Sequence, residues 1–319
     1  MDFRCALTCA LAGSAAWASA SFDLLMAGDN KTGVASTLGI QRYDGDTRAY
    51  LGSFLQNTGP IYGMALDQAR NRVYALAKNV DAKGGTTGVT LYSYDYNTGA
   101  YLNELRLGSG VSFGNAIAAD GLGNVWVAAS GTYTKYDGLS FSVLTQFSDL
   151  VGTFQVSLAA DATRVFARST SGELLRFSST GVLTAALNVG VPSTSAGAAM
   201  ALRGDQLIFA DSALRSRYNA SSFTSLGSFS MPSYLSGSLG GVSGLAFGHG
   251  DRVYVSAYDT TNSLSVVQPI SFTNGTTSGM VSTMTAYAGP LVNVVAPEPA
   301  SLLALGVGAV ALVRRRKKA

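Results

Sequence analysis

The chain has 319 residues, of which 13% are charged and 37 are glycine, with a formal net charge of +3. Six of its 22 cations (Arg4 and Arg314 to Lys318) and two of its 19 carboxylates (Asp2 and Glu298) lie near the ends, so the body carries 16 basic against 17 acidic residues. That balance gives no electrostatic case for nucleic acid, and with the two cysteines at Cys5 and Cys9 the body has neither disulfides nor a cysteine-held zinc.

The first twenty residues read as an export signal. Met1 to Arg4 is a short basic start, Cys5 to Trp17 an apolar run rich in small residues, and Ala18-Ser19-Ala20 a cleavage site before Ser21. A membrane anchor would need a longer run, and a lipoprotein signal through Cys9 would need a smaller residue than Thr8 before it. Residues 1–20 are therefore expected to pass through the general secretion machinery and be removed by signal peptidase at Ala18, Ala20 and Ser21.

Residues 21–296 read as all-β. Short aromatic and β-branched runs alternate with Gly, Asn, Asp and Ser turns, without an amphipathic helical pattern. Five stretches share one form: Met64-Ala65-Leu66-Asp67, Ile117-Ala118-Ala119-Asp120, Leu158-Ala159-Ala160-Asp161, Met200-Ala201-Leu202-Arg203 and Leu245-Ala246-Phe247-Gly248. Seven to nine residues later comes a second strand centred on Tyr74, Trp126, Phe166, Ile208 or Tyr254. A third ends at an aromatic and a turn, as in Tyr43-Asp44, Tyr94-Asp95 and Tyr136-Asp137, and a fourth follows. Four strands recurring every roughly 40 to 50 residues predict a β-propeller of about six four-stranded antiparallel blades. Small residues suit inner strands crowding the axis, and bulky ones fill the gaps between blades. The patterning resembles that of NHL and tryptophan-aspartate-repeat propellers. A β-sandwich or solenoid is the alternative, because the repeat spacing is uneven.

The first unit lacks an inner strand, since Phe22 to Ala27 already reads as a second one. Near the other end, Gly289-Pro290-Leu291-Val292-Asn293-Val294-Val295 resembles Gly59-Pro60-Ile61-Tyr62-Gly63-Met64-Ala65. Residues 290–296 are therefore expected to close the ring as the innermost strand of the first blade.

Chemistry-bearing residues are sparse. The one histidine, His249, falls in a turn, Phe247-Gly248-His249-Gly250-Asp251, and reads as a solvated turn residue without an acid or metal partner. The body's two glutamates, Glu104 and Glu173, fall near outer hairpins, and the inner-strand starts Tyr62, Asn115, Gln155 and Ser243 offer no carboxylate to a channel-mouth metal. Asp44-Gly45-Asp46 and Asp29-Asn30 lack the spacing and terminal Glu of a calcium loop and read as turns. Tyr94, Tyr96, Tyr101 and Tyr133 could stack on sugars, though cross-strand packing is the commoner use. The expectation is a protein without catalytic residues, cofactor or metal, a binding or structural propeller. The alternative is an exported hydrolase or lyase acting on a polysaccharide or small molecule at the channel mouth.

The end of the chain carries the most specific signal. Pro297-Glu298-Pro299 precedes an apolar run, 300–313, and the basic stop Arg314, Arg315, Arg316, Lys317 and Lys318. The prolines keep the approach non-helical. Fourteen helical residues span about 21 Å, less than the ~30 Å hydrocarbon core, but the abutting cations favour an anchor over a core helix. Those cations hold the C-terminus on the cytoplasmic side. The order Pro-Glu-Pro, Ser-Leu-Leu-Ala-Leu-Gly, Arg-Arg-Arg resembles the PEP-CTERM sorting tail. The resemblance implies an exosortase as partner, with polysaccharide or another surface protein as further candidates. It also implies export in a Gram-negative bacterium, transient inner-membrane anchoring, and a final place in the cell envelope or extracellular matrix.

Overall fold

Runs of alternating burial bounded by turn residues give strands throughout the computed structural model, which describes residues 23–29, 39–55, 59–80, 86–108, 116–129, 131–148, 155–169, 171–190, 199–210, 214–230, 244–259, 264–279, 281–282 and 288–295. The expected signal peptide (1–20), with Ala18, Ala20 and Ser21, lies outside the described residues. So does the expected tail (297–319), with Pro297, Glu298, Pro299, the apolar run and Arg314 to Lys318.

Six four-stranded antiparallel sheets form the blades of a propeller. Blade 1 holds β1 (Asp23–Asp29), β2 (Ile40–Asp44) and β3 (Tyr50–Leu55). Blade 2 is β4 (Ile61–Asp67), β5 (Arg72–Val80), β6 (Thr86–Asp95) and β7 (Tyr101–Gly108). Blade 3 is β8 (Ile117–Ala119), β9 (Asn124–Ala129), β10 (Thr132–Asp137) and β11 (Val143–Ser148). Blade 4 is β12 (Gln155–Ala160), β13 (Arg164–Ser169), β14 (Glu173–Ser178) and β15 (Leu183–Asn188). Blade 5 is β16 (Ala199–Arg203), β17 (Gln206–Ala210), β18 (Leu214–Asn219) and β19 (Thr224–Ser230). Blade 6 is β20 (Gly244–Phe247), β21 (Arg252–Asp259), β22 (Leu264–Ser271) and β23 (Val281–Ser282). The final strand, β24 (Ala288–Val295), pairs with β1 and completes blade 1 from inside. The innermost strands β24, β4, β8, β12, β16 and β20 touch in turn around the axis.

The ring closes as the sequence implies, but in a different register. Val292 stands opposite Met26 as Ala65 stands opposite Tyr74, whereas the Gly-Pro match puts Val295 in that place, three residues later. As a result Gly289-Pro290 lies inside β24 while Gly59-Pro60 precedes β4, and each pairing carries a one-residue irregularity, between Ala27 and Asp29 and between Ile61 and Gly63.

Each blade boundary buries one apolar cluster, six in all. The pairing of small inner with bulky second-strand residues is realised: Ala65 faces Tyr74, Ala118 Trp126, Ala159 Phe166, Ala201 Ile208 and Ala246 Tyr254. All five bulky partners are fully buried. Small-against-large pairs fit wedge-shaped gaps that narrow toward the axis. Tyr94 and Tyr133 are buried in these clusters and unavailable for sugar stacking, while Tyr101 is exposed.

One turn device repeats in every blade. Asp44, Asp95, Asp137, Ser178, Asn219 and Ser271 end the third strands, and each side chain accepts from backbone N–H groups two to four residues on. Asp44-Gly45-Asp46 is one copy of it, so Asp44 is spent on its own turn. The residue after each donates its N–H to the turn before the second strand, as in Gly45 to Asp23 (2.7 Å) and Phe272 to Asp251 (2.7 Å). The inner-to-second and third-to-fourth turns therefore share one side of the disc, called here the turn face.

Candidate functional site

The axial channel is the first place to look for chemistry in a ring of inner strands. Its cavity, about 290 Å³, is lined almost wholly by aliphatic side chains such as Leu66, Ile117, Leu158, Met200 and Val292. Arg203 is the charged residue among the lining residues, and its guanidinium is already committed. Nη1 donates to the Gly248 carbonyl (2.6 Å), Nη2 and Nε to Gln206 Oε1 (2.7 and 3.2 Å), and the group lies 4.5 Å from the Phe247 ring centre. Burial lowers its pKa from the ordinary value.

Charged groups converge instead where blades 6 and 1 meet. Asp23 opens β1 with its carboxylate fully buried. Oδ1 accepts from Asn293 Nδ2 (2.9 Å) and the His249 backbone N–H (3.0 Å). Oδ2 accepts from the Tyr254 hydroxyl (2.8 Å) and Arg252 Nη1 (3.3 Å), and lies 3.1 Å from His249 Nδ1. Arg252 Nη1 also donates to Asp46 Oδ1 (2.5 Å), and Asp46 Oδ2 accepts from the Asp23 N–H (3.2 Å). Burial works against the ionised Asp46, but the Arg252 hydrogen bond and the Asp23 N–H outweigh it and hold its carboxyl below the usual range. Burial raises the Tyr254 hydroxyl above its ordinary pKa.

Local sequence explains the convergence. Blade 1 has no inner-to-second turn of its own, because its inner strand comes from the other end of the chain, and Asp23 stands at that break. The blade-6 turn brings in His249, β21 presents Arg252 and Tyr254 on one face, and β24 presents Asn293. Gly45 permits the approach: a Cβ there would lie 2.5 Å from the Tyr254 hydroxyl and 2.9 Å from Asp23 Cβ.

Asp23, Asp46 and His249 each place a possible metal-ligand atom within 4.8 Å of the others. The donor set does not fit a metal, because the Arg252 guanidinium already bridges both carboxylates. Beside them lies a polar cavity of about 320 Å³, lined by His249, Asp251, Arg252, Ser271, Thr276 and Ser278 among others. Asp251 is bound within it by Ser271 Oγ and by Thr273 through Oγ1 (2.7 Å) and N (3.1 Å).

His249 does lie in a turn, but the expectation that it has no acid partner is corrected by Asp23. Glu104 is exposed on the outer strand β7, and Glu173 opens β14 on the side away from the turn face. Neither approaches the cluster. The Asp29 side chain, Asn30, Asn115, Ser243 and the Gln155 side chain lie outside what is described. Asp23 and Asn293 went unflagged in the sequence. Their signal is a carboxylate heading the apolar run Asp23-Leu24-Leu25-Met26-Ala27 and an amide inside Leu291-Val292-Asn293-Val294-Val295.

Known proteins match the two parts of the chain separately. Residues 295–317 match the family model described as the PEP-CTERM protein-sorting motif. The body is similar in structure to a chain of the nidogen/laminin complex, with TM-score 0.60 and 15% identity over 85% of this chain and 98% of that one. It is also similar to a protein of unknown function from Bacteroides caccae, with TM-score 0.61 and 12% identity over 86% of this chain and 99% of that one. No curated protein sequence matches. At these identities the structural likeness speaks for the fold alone.

The protein is thus a six-bladed β-propeller that carries a PEP-CTERM sorting signal. That signal marks it as an exported protein of the Gram-negative type, anchored in a membrane for sorting and processed by an exosortase.

Proposed function

We propose that the propeller is a non-catalytic binding or structural module, released by exosortase into the cell envelope or extracellular matrix, where it binds a glycan or another surface protein through its loops. The observation that carries this reading is the saturation of Asp23. Four groups donate to its carboxylate or bridge it, and His249 lies against it, so the cluster is spent on holding blade 6 to blade 1. The test is binding of the processed protein to a glycan array and to envelope-protein fractions, repeated with His249→Ala. Retained binding by the variant supports the reading, and absence of any binding partner in both formats would count against it.

A second reading, an exported hydrolase or lyase, is favoured by the His249–Asp23 pair beside the polar cavity. A carboxylate that orients an imidazole is a recurrent element of general-base catalysis. It predicts turnover of a polysaccharide or ester by the intact protein that His249→Ala abolishes while the fold persists.

A further inference from the structure

The exposed apolar side chains of the described residues share one placement. Among the described residues, all eleven large exposed hydrophobics lie on the turn face or its rim. Most open the fourth strands of blades 1 to 5, where Leu51, Leu102, Leu144 and Leu226 are 42 to 51% exposed. The remaining two, Leu122 and Leu139, sit in blade-3 turns. The four rim leucines occupy one repeat position, the unpaired residue of a β-bulge opposite the third strand. A bulge re-aims a side chain outward, and an outward leucine kept at the same place in four blades packs no core.

The chain leaves the propeller on that same face. Val295 ends β24 opposite Asp23, and Asp23 lies against the blade-6 turn and the Gly45 turn. Only Ala296 to Pro299 separate Val295 from the apolar run at 300–313. Four residues reach at most about 14 Å when fully extended. A disc with four strands on each side of its axis, spaced about 4.8 Å apart, is on the order of 40 Å wide. So short a tether at the axis cannot turn the disc over, and it holds the turn face toward whatever surface the tail enters.

From these two observations we infer that the turn face is a lipid-docking surface: until the tail is cut, its rim of leucines and tyrosines rests on the outer leaflet of the anchoring membrane, and the opposite face points away. Amphipathic and aliphatic side chains at a headgroup boundary gain apolar burial there. Cutting the tail removes the tether and leaves only this shallow contact, so the processed body detaches. The inference rests on residues 300–313 being a membrane segment.

The test uses residues 21–319, the chain left after removal of the signal and free of native cysteines, in nanodiscs of phosphatidylethanolamine and phosphatidylglycerol, one copy per disc. Single fluorophores are placed through Leu102→Cys, Leu144→Cys or, on the opposite face between β13 and β14, Ser171→Cys. Headgroup spin-labelled lipid should quench the two rim positions at least about threefold more than Ser171, as expected for groups within the roughly 5–10 Å interfacial layer. Equal quenching at the three sites in an anchored protein overturns the docking surface and leaves the anchor standing. Failure to stay with the disc overturns the anchor and this inference together. Rim shielding seen only with two copies per disc assigns the surface to a second copy and also overturns it.

Discussion

The boundary between blades 3 and 4 and the seam between blades 6 and 1 solve one packing problem with opposite chemistry. At the first, Trp126, Tyr133, Phe147 and Phe177 pack with ring centres 4.9 to 5.8 Å apart, and no ion pair crosses it among the described residues. At the seam, two carboxylates, a guanidinium, an imidazole, a phenol and an amide interlock around buried Asp23. Arg164 and Asp205 also pair across the blade 4–5 boundary, but among the described residues the ion pair that crosses a boundary with a fully buried carboxylate lies where covalent continuity is missing. The chain runs on from blade 3 into blade 4, whereas β1 is held to β24 and blade 6 by non-covalent contacts. Arginines at other boundaries make the same point. Arg72 donates to the Gly138 carbonyl, Arg176 to those of Ala220 and Ser221, and Arg217 to those of Phe272 and Thr273. At the repeat position of Arg72, Arg164 and Arg252 meet carboxylates instead: Arg164 pairs with Asp161 and, across the blade 4–5 boundary, with the exposed Asp205, whereas Arg252 pairs with Asp46 and the fully buried Asp23. Charge-assisted hydrogen bonds are about twice as strong as neutral ones and are directional, so they hold together β1 and β24, which no loop joins to each other.

The comparison is broken most severely by removing the closing strand. A chain stopped at Gly289 should leave β1 an unpaired edge and lose several kcal/mol, seen as loss of a single cooperative thermal transition. Next comes Asp23→Ala, which takes the buried acceptor from the Tyr254 hydroxyl, the His249 N–H and Asn293 while Arg252 keeps Asp46 and Asn293 keeps the Phe247 carbonyl, and should cost roughly 3 kcal/mol. Tyr133→Leu at the aromatic boundary should cost about 1–3 kcal/mol, read as a lower melting temperature.

Much of this contrast was hidden in the sequence, while the repeat was plain. Ala65, Ala118, Ala159, Ala201 and Ala246, their bulky partners and the Asp-, Asn- or Ser-led turns are local signals, and the alanine recurs in blades 2 to 6 because each meets the same wedge-shaped gap. Blade 6 and β24 reach blade 1 at the seam across 206 to 270 positions of sequence, and no local pattern joins Asp23 to His249 or Asn293. Closure by residues near 290 was legible from the missing inner strand, but its register was not, because the Gly-Pro pair lies inside β24 and before β4 and so marks different points of the two strands.

Smaller effects sharpen the comparison. Gly45→Ala forces Asp23 and Tyr254 apart and should cost about 1–3 kcal/mol by overpacking, measurable as a lower melting temperature. The Asp46 carboxyl has a folded pKa below its ordinary value. Its contribution is therefore present above the unfolded pKa of about 3.9 and is lost as pH falls through the folded value. Melting temperature should drop on acidification below about pH 4, and Asp46→Asn should make that drop shallower. His249→Ala is the mildest change, about 1 kcal/mol for one hydrogen bond of several, because its backbone N–H still reaches Asp23.

Hydrogen exchange on the intact and Asp23→Asn proteins tests most directly whether the buried charges exist to close the ring. If they do, the variant loses amide protection in β1, β24 and the His249 turn while blades 3 and 4 exchange as before. Protection unchanged in β1 and β24, or lost evenly around all six blades, would contradict it.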